Sequence, residues 1–85
     1  MNQEKLNSII GKNIKKYRKL YDNKNIHMTQ EKLAELINVS VSHISSLESN
    51  KSKKGISISN LYKISKVLNV PIHKFLEDDT NEWVR

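Results

Sequence analysis

The 85-residue chain has no cysteine, one proline and two glycines. Without cysteine it can form neither a disulfide nor a thiolate metal site, which suits a reducing compartment. Two glycines are too few for a phosphate-binding glycine-rich loop. No apolar run approaches the roughly 20 residues that a membrane-spanning helix needs, and Met1 to Glu4 do not resemble the start of a signal peptide. We therefore expect a cytoplasmic protein outside the membrane.

Aromatic residues are also scarce, so a core must be built mainly from Ile, Leu and Val. A chain of this length has room for one small domain. The three histidines, His27, His43 and His73, lack ligand-like spacing, and no metal site is predicted. The acidic residues show no pairing of the kind that acid–base catalysis uses. We expect no cofactor and no enzymatic activity.

The charge is unevenly distributed along the chain. Residues 1–76 contain fourteen basic and five acidic residues, a net charge of +9, whereas four of the last nine residues are acidic. We therefore divide the chain into a basic domain, 1–77, and a short acidic tail, 78–85. A domain this basic favours a polyanionic partner such as nucleic acid. The alternative is a lysine-rich surface that serves only solubility.

The most informative stretch spans residues 29–48. Two short apolar-periodic segments, 30–37 and 41–48, are separated by only three residues, and each follows a hydroxyl residue suited to cap a helix, Thr29 and Ser40. Apolar residues flank each cap at the positions of a hydrophobic staple. Two helices joined by so tight a turn form a helix-turn-helix unit. The other segments look like support for it.

Three further helices are expected. Residues 4–21 place apolar residues from Leu6 to Leu20 at helical spacing, and Gly11 within them indicates close packing against a neighbour. Ser57 caps a fourth helix whose apolar face runs from Ile58 to Leu68, and Asn69 and Pro71 end it. A short fifth helix, 72–77, directs Phe75 and Leu76 inward. The predicted fold is all-α, a compact bundle of five helices.

These segments together resemble the Cro/C1-type (Xre-like) helix-turn-helix family. The resemblance rests on Ile10-Gly11-x-x-Ile14-x-x-Tyr17-Arg18, Thr29-Gln30-Glu31-x-Leu33-Ala34 and Val39-Ser40-x-x-x-Ile44-Ser45-x-Leu47-Glu48, and it continues to Phe75-Leu76. It implies a lambda-repressor-like bundle and a transcriptional regulator, of repressor or controller type, that binds double-stranded DNA. Where the family usually has glycine at the turn, this chain has Asn38, which tolerates the left-handed conformation.

The resemblance assigns base contacts to the exposed face of the third helix, formed by Val41, Ser42, Ser45 and Ser46. Serine hydroxyls can donate to or accept from several bases, and Val41 can meet a thymine methyl group. The face has no arginine for bidentate guanine recognition, so we predict an operator rich in A·T and read partly by its shape. The alternative is that these serines are simply solvated.

Backbone phosphates would be bound at both ends of the unit. The N-terminus of the second helix offers free N–H groups and a favourable dipole. The loop after the third helix is basic and is positioned to meet the DNA backbone. The alternative is that its lysines are simply solvated. The candidate phosphate contacts are Thr29, Gln30, His43, Ser49, Asn50, Lys51, Lys53 and Lys54.

Arg18 is assigned a different role. The family often pairs an arginine of the first helix with a glutamate that ends the third, here Glu48. A guanidinium can hold a carboxylate through two donors and thus brace the recognition helix. We expect a structural ion pair between these two residues.

The resemblance also implies a homodimer on a palindromic site, because one unit reaches only a few base pairs. Phe75, Trp83 and Val84 are the candidate dimer contacts, unless Trp83 folds back onto its own domain. The alternative function is a protein-interaction module, such as an antitoxin or an anti-repressor partner. A regulatory partner protein is compatible with either function.

Overall fold

A computed structural model describes residues 2–21, 27–49 and 55–78. In these ranges the chain forms five helices: α1 (Gln3–Leu20), α2 (Gln30–Ile37), α3 (Val41–Glu48), α4 (Ile58–Leu68) and α5 (Ile72–Phe75). The described part contains no strand, so the prediction of an all-α fold is confirmed. The predicted residues Asn50, Lys51, Lys53, Lys54, Trp83 and Val84, and the acidic tail beyond Asp78, lie outside the described residues.

Local capping chemistry sets the helix starts. The side-chain oxygens of Asn2, Thr29, Ser40 and Ser57 each accept a hydrogen bond from the backbone N–H three residues later, at 2.8 to 3.1 Å. Each bond satisfies one N–H group that would otherwise lack a partner in the first turn. The predicted bounds of α2, α3 and α4 are therefore confirmed.

Two asparagines end helices in the left-handed region. Asn38 after α2 has φ 63° and Asn69 after α4 has φ 58°. In both cases the backbone N–H of the asparagine returns to a carbonyl of the last turn. Asparagine is the non-glycine residue that best tolerates this conformation. The tight turn between α2 and α3 follows from it.

The core is mainly aliphatic, and all five helices contribute to it. α2 packs on α3 and α4, while α1 packs on α3, α4 and α5. The largest fully buried side chains are Ile14, Leu33, Ile37, Ile44, Ile64 and Phe75. Phe75 stacks edge-to-face on Tyr17, with ring centroids 5.4 Å apart. This contact holds α5 against α1.

The position of Phe75 corrects an expectation. Its side chain is 0% exposed, so it belongs to the core of the chain itself and is not available for the dimer contact predicted for it. Leu76, expected to point inward, is exposed, because α5 ends at Phe75 rather than at Glu77. A helix of one turn buries one large side chain here, and that side chain is Phe75 rather than Leu76.

Two other apolar residues predicted to face the core are exposed. Leu20 at the end of α1 is 66% exposed, since Phe75 covers α1 only as far as Tyr17. Ile58 at the start of α4 is 76% exposed. Side chains lean toward the N-terminus of their helix, so a residue in the first position points past the core.

Candidate nucleic-acid interface

The position of α3 is determined by its buried face. Ile44 and Leu47 enter the core, and the Glu48 side chain, only 2% exposed, lies beneath the end of the helix. The opposite face carries the predicted base-contacting residues. Val41, Ser42 and Ser45 are exposed, while Ser46 is half-buried. The structure thus brings the four residues to one accessible helix surface, composed of hydroxyl and methyl groups.

The hydroxyl groups on this surface have at most weak local partners. The Oγ atoms of Ser40 and Ser42 are 3.4 Å apart, and Ser49 Oγ donates to the Ser46 carbonyl at 3.4 Å. Both distances are at the long limit for an O–H···O bond. A ligand that approaches α3 can therefore recruit the hydroxyl groups of Ser42 and Ser49 with little to break.

The predicted ion pair forms and has two donors. Arg18 Nε donates to Glu48 Oε2 at 2.7 Å, and Arg18 Nη2 donates to Oε1 at 2.9 Å. Arg18 Nη1 also donates to the Met28 carbonyl at 2.9 Å. The arginine side chain is only 11% exposed, so solvent screens the pair little. One guanidinium ties α1 to the end of α3 and to the segment that leads into α2.

Gln30 extends this network in a way that the sequence analysis missed. Its Nε2 donates to Glu48 Oε1 at 2.9 Å, which links the first turn of α2 to the last turn of α3. The bond engages one of its two N–H groups, so a phosphate contact by Gln30 would use the other. The sequence shows a glutamine directly after a helix cap, but it does not indicate the partner of that glutamine, because Glu48 is 18 residues away.

Gly11 provides the closest approach between α1 and α3. A Cβ atom at this position would overlap the Leu47 carbonyl oxygen. The prediction that Gly11 marks close packing is confirmed, and the neighbour is α3. Together with the Arg18–Glu48 pair, this contact fixes both the depth and the tilt of α3.

The described phosphate candidates surround this surface. Thr29 is exposed and caps α2 through its Oγ1. His43 is half-buried on α3, and Ser49 is exposed where α3 ends. The Gln30–Glu48 bond places the N-terminus of α2 beside the C-terminal end of α3. A helix N-terminus and hydroxyl groups at the edges of one surface are suited to hold phosphate oxygens.

Asn13 is a second residue that the sequence analysis missed. It is buried in α1, and its Nδ2 donates to the Phe75 and Glu77 carbonyls, both at 2.8 Å. These bonds fix the chain after α5 against α1.

In the described ranges no cluster of His, Asp or Glu could hold a metal ion. No helix there is long and apolar enough to cross a membrane.

The fold and this surface define a helix-turn-helix DNA-binding protein. The model of the helix-turn-helix family matches residues 14–75, which covers α2 to α5 and the second half of α1. The chain belongs to this Cro/C1-type family, whose members are DNA-binding and non-enzymatic. No curated protein matches the sequence significantly.

Proposed function

We propose that the chain is a sequence-specific transcriptional regulator, of repressor or controller type, that binds a palindromic operator as a homodimer. The observation that carries the proposal is the two-sided character of α3. One side is locked by Gly11, Arg18 and Gln30, and the other presents hydroxyl and methyl groups to solvent. A rigid helix with an accessible polar face suits insertion into the major groove.

We propose for each residue the DNA contact that the sequence analysis assigned to it. Val41, Ser42, Ser45 and Ser46 meet base edges. Thr29, Gln30, His43 and Ser49 meet phosphates, together with Asn50, Lys51, Lys53 and Lys54 of the following loop. The base-contacting face has no arginine, so the operator is rich in A·T and the surrounding contacts to phosphate supply most of the affinity.

The dimer surface is proposed from exposure. With Phe75 buried, the large exposed apolar side chains that share a helix face are Ile58 and Tyr62, four residues apart on α4, and Tyr62 is 54% exposed. Residues so spaced are neighbours on a helix surface. Apolar side chains in such a position favour contact with a second copy.

Selection of bound sequences from a random DNA pool tests the proposal. The expected result is a palindrome rich in A·T, with an affinity that falls steeply with salt. A dimer with about six or more phosphate contacts gives a log–log slope near −5 or steeper. Invariant guanines opposite α3 would contradict the proposed base recognition. Negligible binding at low salt would favour the other function, a protein-interaction module of the antitoxin or anti-repressor kind.

A further inference from the structure

An open groove lies where α4 meets α5. Its volume is about 360 Å³, and its lining includes three consecutive apolar residues, Val70, Pro71 and Ile72. Pro71 is exposed and the other two are half-buried, so solvent reaches this apolar surface. The volume lies within the range of about 300–1,000 Å³ that is usual for ligand pockets. The groove can therefore accept an apolar side chain from another molecule.

The α4 side of the groove carries a positive charge. Its lining includes Tyr62, Lys66 and Asn69. The Lys66 ammonium group lies 5.3 Å from the centroid of the Tyr62 ring, in a cation–π contact that holds it at the edge of the groove. A positioned cation and an apolar surface thus lie side by side.

No acidic residue of the surrounding segment offsets this charge. Residues 55–76 contain three lysines, Lys63, Lys66 and Lys74, and neither Asp nor Glu. The next acidic residue along the chain is Glu77, whose Oε1 atom lies 3.9 Å from Lys74 Nζ. None of the described residues that line the groove is acidic. A complementary ligand therefore carries negative charge beside an apolar group.

A second copy of the chain complements this groove less well than an acidic ligand does. Tyr62 belongs both to the proposed dimer surface and to the groove lining. Two copies that met on α4 would bring Lys66 of each toward one interface, to which residues 55–76 contribute no carboxylate. Like charges that approach at an interface cost free energy, whereas opposite charges are favourable there. An acidic ligand would therefore compete effectively with a second copy for Tyr62.

We propose that the groove binds an acidic, apolar peptide segment of a regulatory partner protein. An apolar side chain of the segment lies against Val70, Pro71 and Ile72, and a carboxylate pairs with Lys66. The α4 side of the groove, from Tyr62 to Asn69, extends over about 10 Å of helix, which about three extended residues span. A short motif with one apolar residue flanked by acidic residues is therefore sufficient.

A peptide in the groove covers Tyr62 and so excludes the second copy from α4. The regulator then loses its dimer and, with it, much of its affinity for a palindromic operator. This consequence rests on the proposed function, since it requires the homodimer. The docking of the peptide does not, because it depends only on the chemistry of the groove.

Selection of peptides from a random library displayed on phage, with the full chain as the immobilised target, tests the docking. We expect the enriched peptides to combine acidic residues with a neighbouring aromatic or aliphatic residue. The most enriched peptide is then synthesised as the probe. Lys66→Glu should weaken its binding about tenfold or more, as expected for the loss of one contact with a charged group. The matched control, Lys63→Glu, makes the same charge change on the same helix outside the groove lining, and it should change binding only slightly.

Two variants of the probe separate binding in the groove from general attraction to a basic domain. Replacement of its acidic residues by Asn or Gln, and replacement of its apolar residue by Ala, should each weaken binding several-fold. Unchanged binding of either variant would overturn the docking, as would an equal response to Lys66→Glu and Lys63→Glu. Circular dichroism checks that both protein variants are folded.

Absence of any enriched peptide would also overturn the docking. If Lys66→Glu then alters the molecular mass in light scattering, a second copy occupies the groove instead.

Light scattering and an operator titration in the presence of the probe test the consequence for regulation. Saturation with the probe should convert the dimer to a monomer and weaken operator binding several-fold. A dimer that keeps its mass while the probe is bound would refute the competition but not the docking. A chain that is monomeric or binds no DNA without the probe would refute the proposed function, and the peptide titration would still decide the docking.

Discussion

Gly11 of α1 and the Leu47 carbonyl of α3 are in direct contact, with no space for a Cβ atom between them. In an isolated helix, alanine in place of glycine would stabilise by about 1 kcal/mol. Here it must push α3 outward, and such overpacking costs about 1–3 kcal/mol. The position of α3 thus depends on the absence of a side chain at residue 11.

The first prediction follows from this contact. Gly11→Ala should lower the free energy of unfolding by up to about 2 kcal/mol, which is the overpacking cost less the gain in helix propensity. It should weaken operator binding more than stability alone explains, because α3 is displaced. Urea denaturation and a binding titration measure the two effects. Lys15→Ala, at an exposed position of the same helix, serves as the control. An increase in stability for Gly11→Ala would show that α3 can move aside freely.

The second prediction concerns the Arg18–Glu48 pair. Arg18→Ala leaves a nearly buried carboxylate with only Gln30 as its described side-chain partner, and loss of one member of such a pair costs about 3–5 kcal/mol. Arg18→Lys should recover only part of this, because an ammonium group cannot reproduce the two-donor geometry. Urea denaturation of Arg18→Ala, Glu48→Ala and the double variant gives the coupling energy. A coupling energy near zero would remove the pair as a brace for α3.

The third prediction concerns base recognition. Ser42→Ala and Ser46→Ala should each reduce operator affinity about fivefold, about 1 kcal/mol, and relax the preference at one base position. Affinity for non-operator DNA should stay unchanged. Ser59→Ala, an exposed serine of α4, is the control. Equal losses on operator and non-operator DNA would mean that these hydroxyl groups touch phosphates instead of bases.

The fourth prediction tests the dimer surface on α4. Tyr62→Glu places a charge on the proposed apolar contact and should convert the dimer to a monomer in light scattering. Operator binding should then become weaker and less cooperative. Lys63→Glu changes the charge of the exposed neighbouring residue and should leave the mass unchanged. A dimer that survives Tyr62→Glu must use another surface.

The fifth prediction concerns Asn13. Asn13→Ala removes two buried or half-buried hydrogen bonds and should lower the free energy of unfolding by about 2–3 kcal/mol. Asn7→Ala, which removes the acceptor of an exposed bond from Gln3 on the same helix, should cost much less. Denaturation curves for the two variants provide the comparison. Equal small losses would mean that the end of α5 is held by Phe75 alone.

The sequence by itself determined where most helices begin and end. The starts of α2, α3 and α4 depend on Thr29, Ser40 and Ser57, and each cap bonds to an N–H only three residues away. The left-handed ends at Asn38 and Asn69 are equally local. Interactions over so short a distance can be predicted without knowledge of the rest of the chain.

Tertiary structure alone decided which residues of these helices are covered and which distant groups meet. Leu20 and Ile58 satisfy the helical pattern but lie where no neighbour covers them, whereas Phe75 is enclosed by the bundle. The bonds of Asn13 and Gln30 join residues that are 62 and 18 positions apart. Such partners are brought together only when the apolar faces of the helices pack, so no local pattern announces them.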